Sequence, residues 1–165
     1  MALQRKQISA DNARMRLEEL CVRSEHCSYE LREKLKRWGV PSGESEKILE
    51  ALRKARFYDD LRFARAYVRD KLLYNRWGRR KIAVGLMSKR IDRDVADEAM
   101  DEIEEEDYRR ILLELATAKA RGIKEGDSFE GRTRLFRFLA SRGFEAGMIS
   151  DVTRNPSVWG EEEEE

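Results

Sequence analysis

The sequence predicts an all-α protein made of three tandem three-helix repeats in an elongated or curved array. Three observations carry that expectation. Apolar residues recur at helical spacing almost throughout, and no stretch sustains a period of two. Only 2 prolines and 10 glycines punctuate 165 residues, which suits helices and poorly suits a turn-rich β-fold. An apolar i, i+4 pair, a stop and a bulky apolar residue occur three times at nearly constant spacing.

The first repeat, residues 11–56, opens with a helix from Asp11 to Arg23 whose stripe is Leu17, Leu20 and Cys21. Ser28 can cap the second helix, with Glu30 in its first turn and Leu31 and Leu35 facing inward. Gly39 follows where a left-handed C-terminal residue is needed. Ser42 opens the third helix, with Glu44 and Glu46 early and Ile48, Leu49 and Leu52 inward, ending at Arg56.

The second repeat, 57–104, has helices over 59–74, 79–91 and 92–103. Tyr58, Phe63 and Tyr67 are expected in its core, and Asp59 and Asp92 mark helix starts. The third, 105–155, has helices over 105–121, 132–144 and 145–154. Residues 1–10 are read as a flexible N-terminus and 156–165, with Glu161 to Glu165, as an acidic disordered tail.

The repeat itself is Leu31–Leu35–Gly39–Val40, recurring 51 residues on as Ile82–Leu86–Arg90–Ile91 and 53 beyond that as Leu135–Leu139–Gly143–Phe144. Arg90 replaces the glycine of the other two, so that stop is expected to be strained or built differently. A unit of this size makes only a small core and gains stability by packing against its neighbours. The alternative is one compact helical bundle with accidental internal similarity.

Charged residues make up 41% of the chain, against about 25% in ordinary domains, yet 34 bases and 33 acids leave a net charge of only +1. The charges are segregated. Glu98 to Asp107 holds seven acids and no base, whereas Arg76 to Arg93 holds seven bases and one acid. The middle helices differ in the same way. Ser28 to Val40 carries +2, Arg79 to Ile91 carries +5 and Arg132 to Phe144 carries +4, the last two without a single acid. Like charges at i, i+3 and i, i+4 repel, and a face that is only solvated usually intersperses acids. The candidate contact set for a polyanion is therefore Arg76, Arg79, Arg80, Lys81, Lys89 and Arg90 on the second repeat, with Arg132, Arg134, Arg137 and Arg142 on the third. Arginine predominates, which favours forked recognition of phosphate or carboxylate. Trp38 and Trp77 flank these helices, either closing the core beneath a loop or stacking on a partner.

Other chemistry is not foreseen. Gly78-Arg79-Arg80-Lys81 lacks the spacing and hydroxyl of a nucleotide-binding loop. Cys21, His26 and Cys27 are too few and badly spaced for zinc, and no group orients a Cys/His nucleophile. No catalytic residue, metal or cofactor is expected, and the chain is not read as an enzyme. No apolar run approaches a membrane span and residues 1–10 lack a signal peptide's apolar core, so a soluble cytoplasmic protein is expected.

The local wording resembles the RecX family of recombination regulators. The matching stretches are Arg23-Ser24 with Ser28-Tyr29-Glu30-Leu31-Arg32-Glu33-Lys34-Leu35, then the run from Phe57 to Val68, then Trp77-Gly78-Arg79-Arg80-Lys81-Ile82 through Leu86, Lys89 and Ile91. The resemblance covers about residues 12–152. Departures are Gly85 inside a middle helix, Arg90 at its stop and a looser third repeat. It implies three tandem three-helix modules that associate, as a monomer, with the RecA–single-stranded DNA filament. Members lodge in the filament groove and restrain RecA's ATP hydrolysis and strand exchange, within DNA recombination, DNA repair and the SOS response. On that reading the basic set contacts RecA, single-stranded DNA, or both, and no membrane is involved. Two rivals remain open: a stand-alone DNA-binding protein that reads a groove with a basic middle helix, and a helical adaptor for another acidic partner.

Overall fold

The computed structural model describes residues 8–160, in which nine α-helices and one 3-10 helix occur and no strand. The helices are α1 (Ala10–Arg23), α2 (Ser28–Arg37), α3 (Ser42–Lys54), α4 (Asp60–Leu73), α5 (Arg79–Ser88), α6 (Arg93–Asp101), α7 (Glu105–Ala120), α8 (Phe129–Ser141) and α9 (Ala146–Thr153). The repeat pattern is present in the backbone. Val40, Ile91 and Phe144 each donate their N–H to the carbonyl five residues back, on Leu35, Leu86 and Leu139. These are the six-to-one bonds that close a Schellman stop, and they are made by the recurring apolar residues. Gly39 and Gly143 sit at φ 76° and 95°, and Arg90 takes the same left-handed conformation at φ 52°. The strain expected there is real, since a side chain at positive φ clashes with its own carbonyl.

Three expectations need correction. Residues 8–10 are built into the fold rather than flexible. Ser9 caps α1 by accepting from the Asn12 N–H, and Ile8 and Ala10 pack on the core. Residues 156–160, expected in the tail, are ordered as well. Pro156–Trp159 form the 3-10 helix, Val158 is buried, and Trp159 Nε1 donates to the Thr153 carbonyl at 3.0 Å. The glutamates at 161–165 lie outside the described residues, as do residues 1–7. The third middle helix begins at Phe129 rather than Arg132, because the Ser128 hydroxyl accepts the Gly131 N–H and so caps an extra turn containing Glu130.

Packing divides the described chain into two compact units. The first is the chain up to Ala66 together with Leu86–Glu98, and the second is Tyr67–Gly85 with the described residues from Ala99 on. The boundary falls inside α4, α5 and α6, so the second helical triplet contributes to both. In the first unit, Ala13, Leu17, Leu31, Leu35, Leu49 and Leu52 form a core with Tyr58 that Leu20, Cys21, Trp38 and Phe57 flank. Truncating one of the fully buried leucines costs about 2–5 kcal/mol. In the second unit, α7 packs on α8, α9 and the 3-10 helix, burying Tyr108, Leu112, Leu135, Leu139 and Ile149. Gly85, which departs from the family pattern, leaves room for the Tyr67 ring, whose hydroxyl would overlap any added Cβ.

A candidate cationic interface

Both units contain the same kind of junction, where the end of one middle helix meets the start of another. In the second unit the Gly78 N–H donates to Arg142 O at 2.8 Å and the Arg80 N–H to Gly143 O at 3.0 Å. Carbonyls at the end of α8 thus satisfy amides at the start of α5, uniting a negative helix end with a positive one. The approach demands two glycines, because a Cβ on Gly78 would overlap the Gly143 backbone and one on Gly143 would overlap Lys81. In the first unit Cys27, 51 residues before Gly78, opens α2, and its thiol points to Lys89 O at 3.7 Å near the end of α5. Burial pushes that thiol up to about 12, despite the backbone hydrogen bond opposing the shift.

A side chain from the following first helix completes each junction. Asp60 accepts from the Ser28 N–H at 2.7 Å and from its hydroxyl at 2.6 Å. At the equivalent Arg79, the Tyr108 hydroxyl accepts the backbone N–H at 3.0 Å and donates to Glu145 at 2.7 Å. The Arg79 guanidinium lies 3.9 Å from the centroid of the same ring and pairs with Glu105 at 2.5 Å and Glu145 at 3.4 Å. The hydrogen bond from Arg79 holds the Glu105 carboxyl below its ordinary value, while burial raises the Tyr108 phenol.

This revises the candidate set residue by residue. Arg79 is a junction residue, its fork taken by two carboxylates. Arg132 pairs with Asp127, Arg134 with Glu125 at 3.2 Å, Arg76 with Glu114 at 3.4 Å and Lys89 with Glu30 at 3.6 Å. These acids lie in loops or on other helices, so the run of basic residues within each middle helix hid them. Three further cations lie over aromatic rings: Lys81 over Trp77, Arg90 over Tyr29 and Arg142 over Phe138. Trp77 also carries Lys71 at 4.8 Å, so its ring is clothed by two ammonium groups. Arg80 and Arg137 are exposed, and neither side chain has an ion-pair partner among the described residues. Sequence reasoning missed Tyr108 and Glu145 altogether. Tyr108 fell inside an acid-rich run whose charges obscured it.

Fold and surface together define a helical-repeat protein with cationic middle helices and no metal-ligand cluster among its described residues. Residues 59–100 match the family description "RecX, second three-helix domain" and residues 105–153 match "RecX, third three-helix domain". A relative from Prosthecochloris aestuarii, named regulatory protein RecX, is 35% identical over 125 residues, covering 76% of this chain and 80% of its own length. Another so named, from Vibrio parahaemolyticus, is 33% identical over 132 residues, covering 80% and 83%. The chain belongs to the RecX family. Against the Clostridium botulinum relatives the match is 32% over 127 residues and spans 59% of their length. A solved RecX structure from Lactobacillus salivarius superposes with a TM-score of 0.78 at 19% identity, over 87% of this chain and 93% of that one, which speaks to the fold.

Proposed function

We propose that this chain regulates RecA by binding the RecA–single-stranded DNA filament and restraining its ATPase and strand exchange, without catalysis of its own. The observation that carries the reading is the division of labour among the bases of a RecX-family chain. Arg76, Arg79, Lys89, Arg132 and Arg134 are tied to carboxylates, whereas the exposed side chains of Arg80 on α5 and Arg137 on α8 have no ion-pair partner among the described residues. Charges left in that state are suited to a polyanionic or acidic partner. Lys81, Arg90 and Arg142 are held in place over aromatic rings. Several weak contacts made at once by linked helical modules add up to useful affinity.

The test is RecA's ATPase on single-stranded DNA, titrated with this protein at two salt concentrations. Turnover falls as the protein is added, less so at the higher salt. An unchanged ATPase, with salt-dependent DNA binding that needs no RecA, would favour the stand-alone DNA-binding reading instead.

A further inference from the structure

Between α8 and α9 lies an open groove of about 540 Å³, within the range of about 300–1,000 Å³ that takes a ligand the size of a nucleotide. Its lining includes Phe129, Phe136, Arg132, Arg137 and Arg154, with serine and threonine between them and no carboxylate. Phe129, Phe136 and Arg137 stand at i, i+7 and i+8 and so share one face of α8. Phe129 is 86% exposed, an unusual state for a large aromatic residue on an ordered helix. Arg137 and Arg154 have no ion-pair partner among the described residues, and Arg132 is held beside them by Asp127. Arg154 follows the last residue of α9, where any cation favours the helix dipole. That effect accounts neither for the bare ring nor for a lining without carboxylates.

We infer that this groove is a binding site for single-stranded DNA, in which a base stacks on Phe129 and the adjoining phosphates lie against Arg137 and Arg154. The ring and the charges are arranged as single-strand sites are built, with an aromatic platform beside a cationic track. An acidic peptide would satisfy the arginines equally well, but its apolar anchor would need an enclosed pocket. The open groove offers the exposed Phe129 ring instead, and one ring face is all that a base requires. The inference goes beyond filament regulation, and only the choice of DNA over RNA rests on that reading.

The test is fluorescence anisotropy of a labelled oligothymidylate titrated with the full chain, with no RecA present, so that failure leaves the filament proposal untouched. Phe129→Ala weakens binding about tenfold, and Phe129→Trp restores it. The same Phe129→Ala change leaves affinity for an abasic oligomer unaltered. Arg137→Glu with Arg154→Glu weakens both ligands and flattens the salt dependence by about two phosphate contacts. Circular dichroism of each variant checks that helicity is retained. The site assignment is overturned if Phe129→Ala binds oligothymidylate like the parent, or if an aromatic-bearing oligoglutamate peptide displaces the DNA at lower concentration than unlabelled DNA does. Tighter binding of oligouridylate than of oligothymidylate overturns the choice of DNA.

Discussion

Arg79 meets two carboxylates and the face of a tyrosine, and its own backbone N–H ends on that tyrosine's hydroxyl. Removing the hydroxyl by Tyr108→Phe takes the acceptor from the part-buried Arg79 amide and the donor from one Glu145 oxygen, whose other oxygen keeps Arg79, at a cost of about 1–3 kcal/mol. Arg80→Ala, one residue on, is expected to stay within about 0.5 kcal/mol of the parent. Urea unfolding of both variants checks the contrast. Cys27 gives a second prediction. Its folded pKa lies above the ordinary 9.0 and reaches about 12, so the protonated thiol is the form that folding favours. The stability tied to it is intact below pH 9 and declines as the pH rises toward 12. Alkylation of Cys27 by iodoacetamide at pH 9 is therefore expected to follow the unfolding rate, and rapid labelling of the native protein would count against the buried thiol. Neither residue's role was legible in advance. Arg79 read as one more base in a run without acids, since Glu105 and Glu145 lie 26 and 66 residues away. Long-range pairs of that kind leave no local pattern.

Helices, unlike ion pairs, are written in short-range order, and there the sequence was informative. Leu35, Leu86 and Leu139 anchor three stops that recur in the backbone, and even the anomalous Arg90 has the left-handed φ its position implies. The first turn of α8 was hidden because Gly131 reads as a breaker, although it is Gly131's own amide that Ser128 caps. Gly143 was marked as a stop by the repeat, but Gly78 looks in sequence like the dispensable glycines. Gly78→Ala drives a methyl group into the Gly143 backbone and is expected to destabilise the chain by at least about 2 kcal/mol. Gly147→Ala on α9, where a Cβ meets nothing within 4 Å, is expected to stabilise it by about 0.4–1 kcal/mol. Thermal denaturation of the pair, with opposite shifts in Tm, checks that the junction rather than glycine content is what matters.

Across the molecule, a near-neutral total conceals two populations of cations. One neutralises acids and orders the junctions, and the other, exemplified by Arg80 and Arg137, is left facing solvent. Charge runs in the sequence located the basic helices but could not sort their residues, because sorting depends on which acids the fold brings close. The proposed filament binding would rest on the second population. The most direct measurement is the affinity of the full chain for assembled RecA–single-stranded DNA filaments, comparing the parent with the double variant Arg80→Glu, Arg137→Glu at two ionic strengths. Tenfold or greater weakening, a shallower salt dependence and unaltered helicity are expected. Parental affinity in the double variant, with the same salt slope, would contradict the assignment.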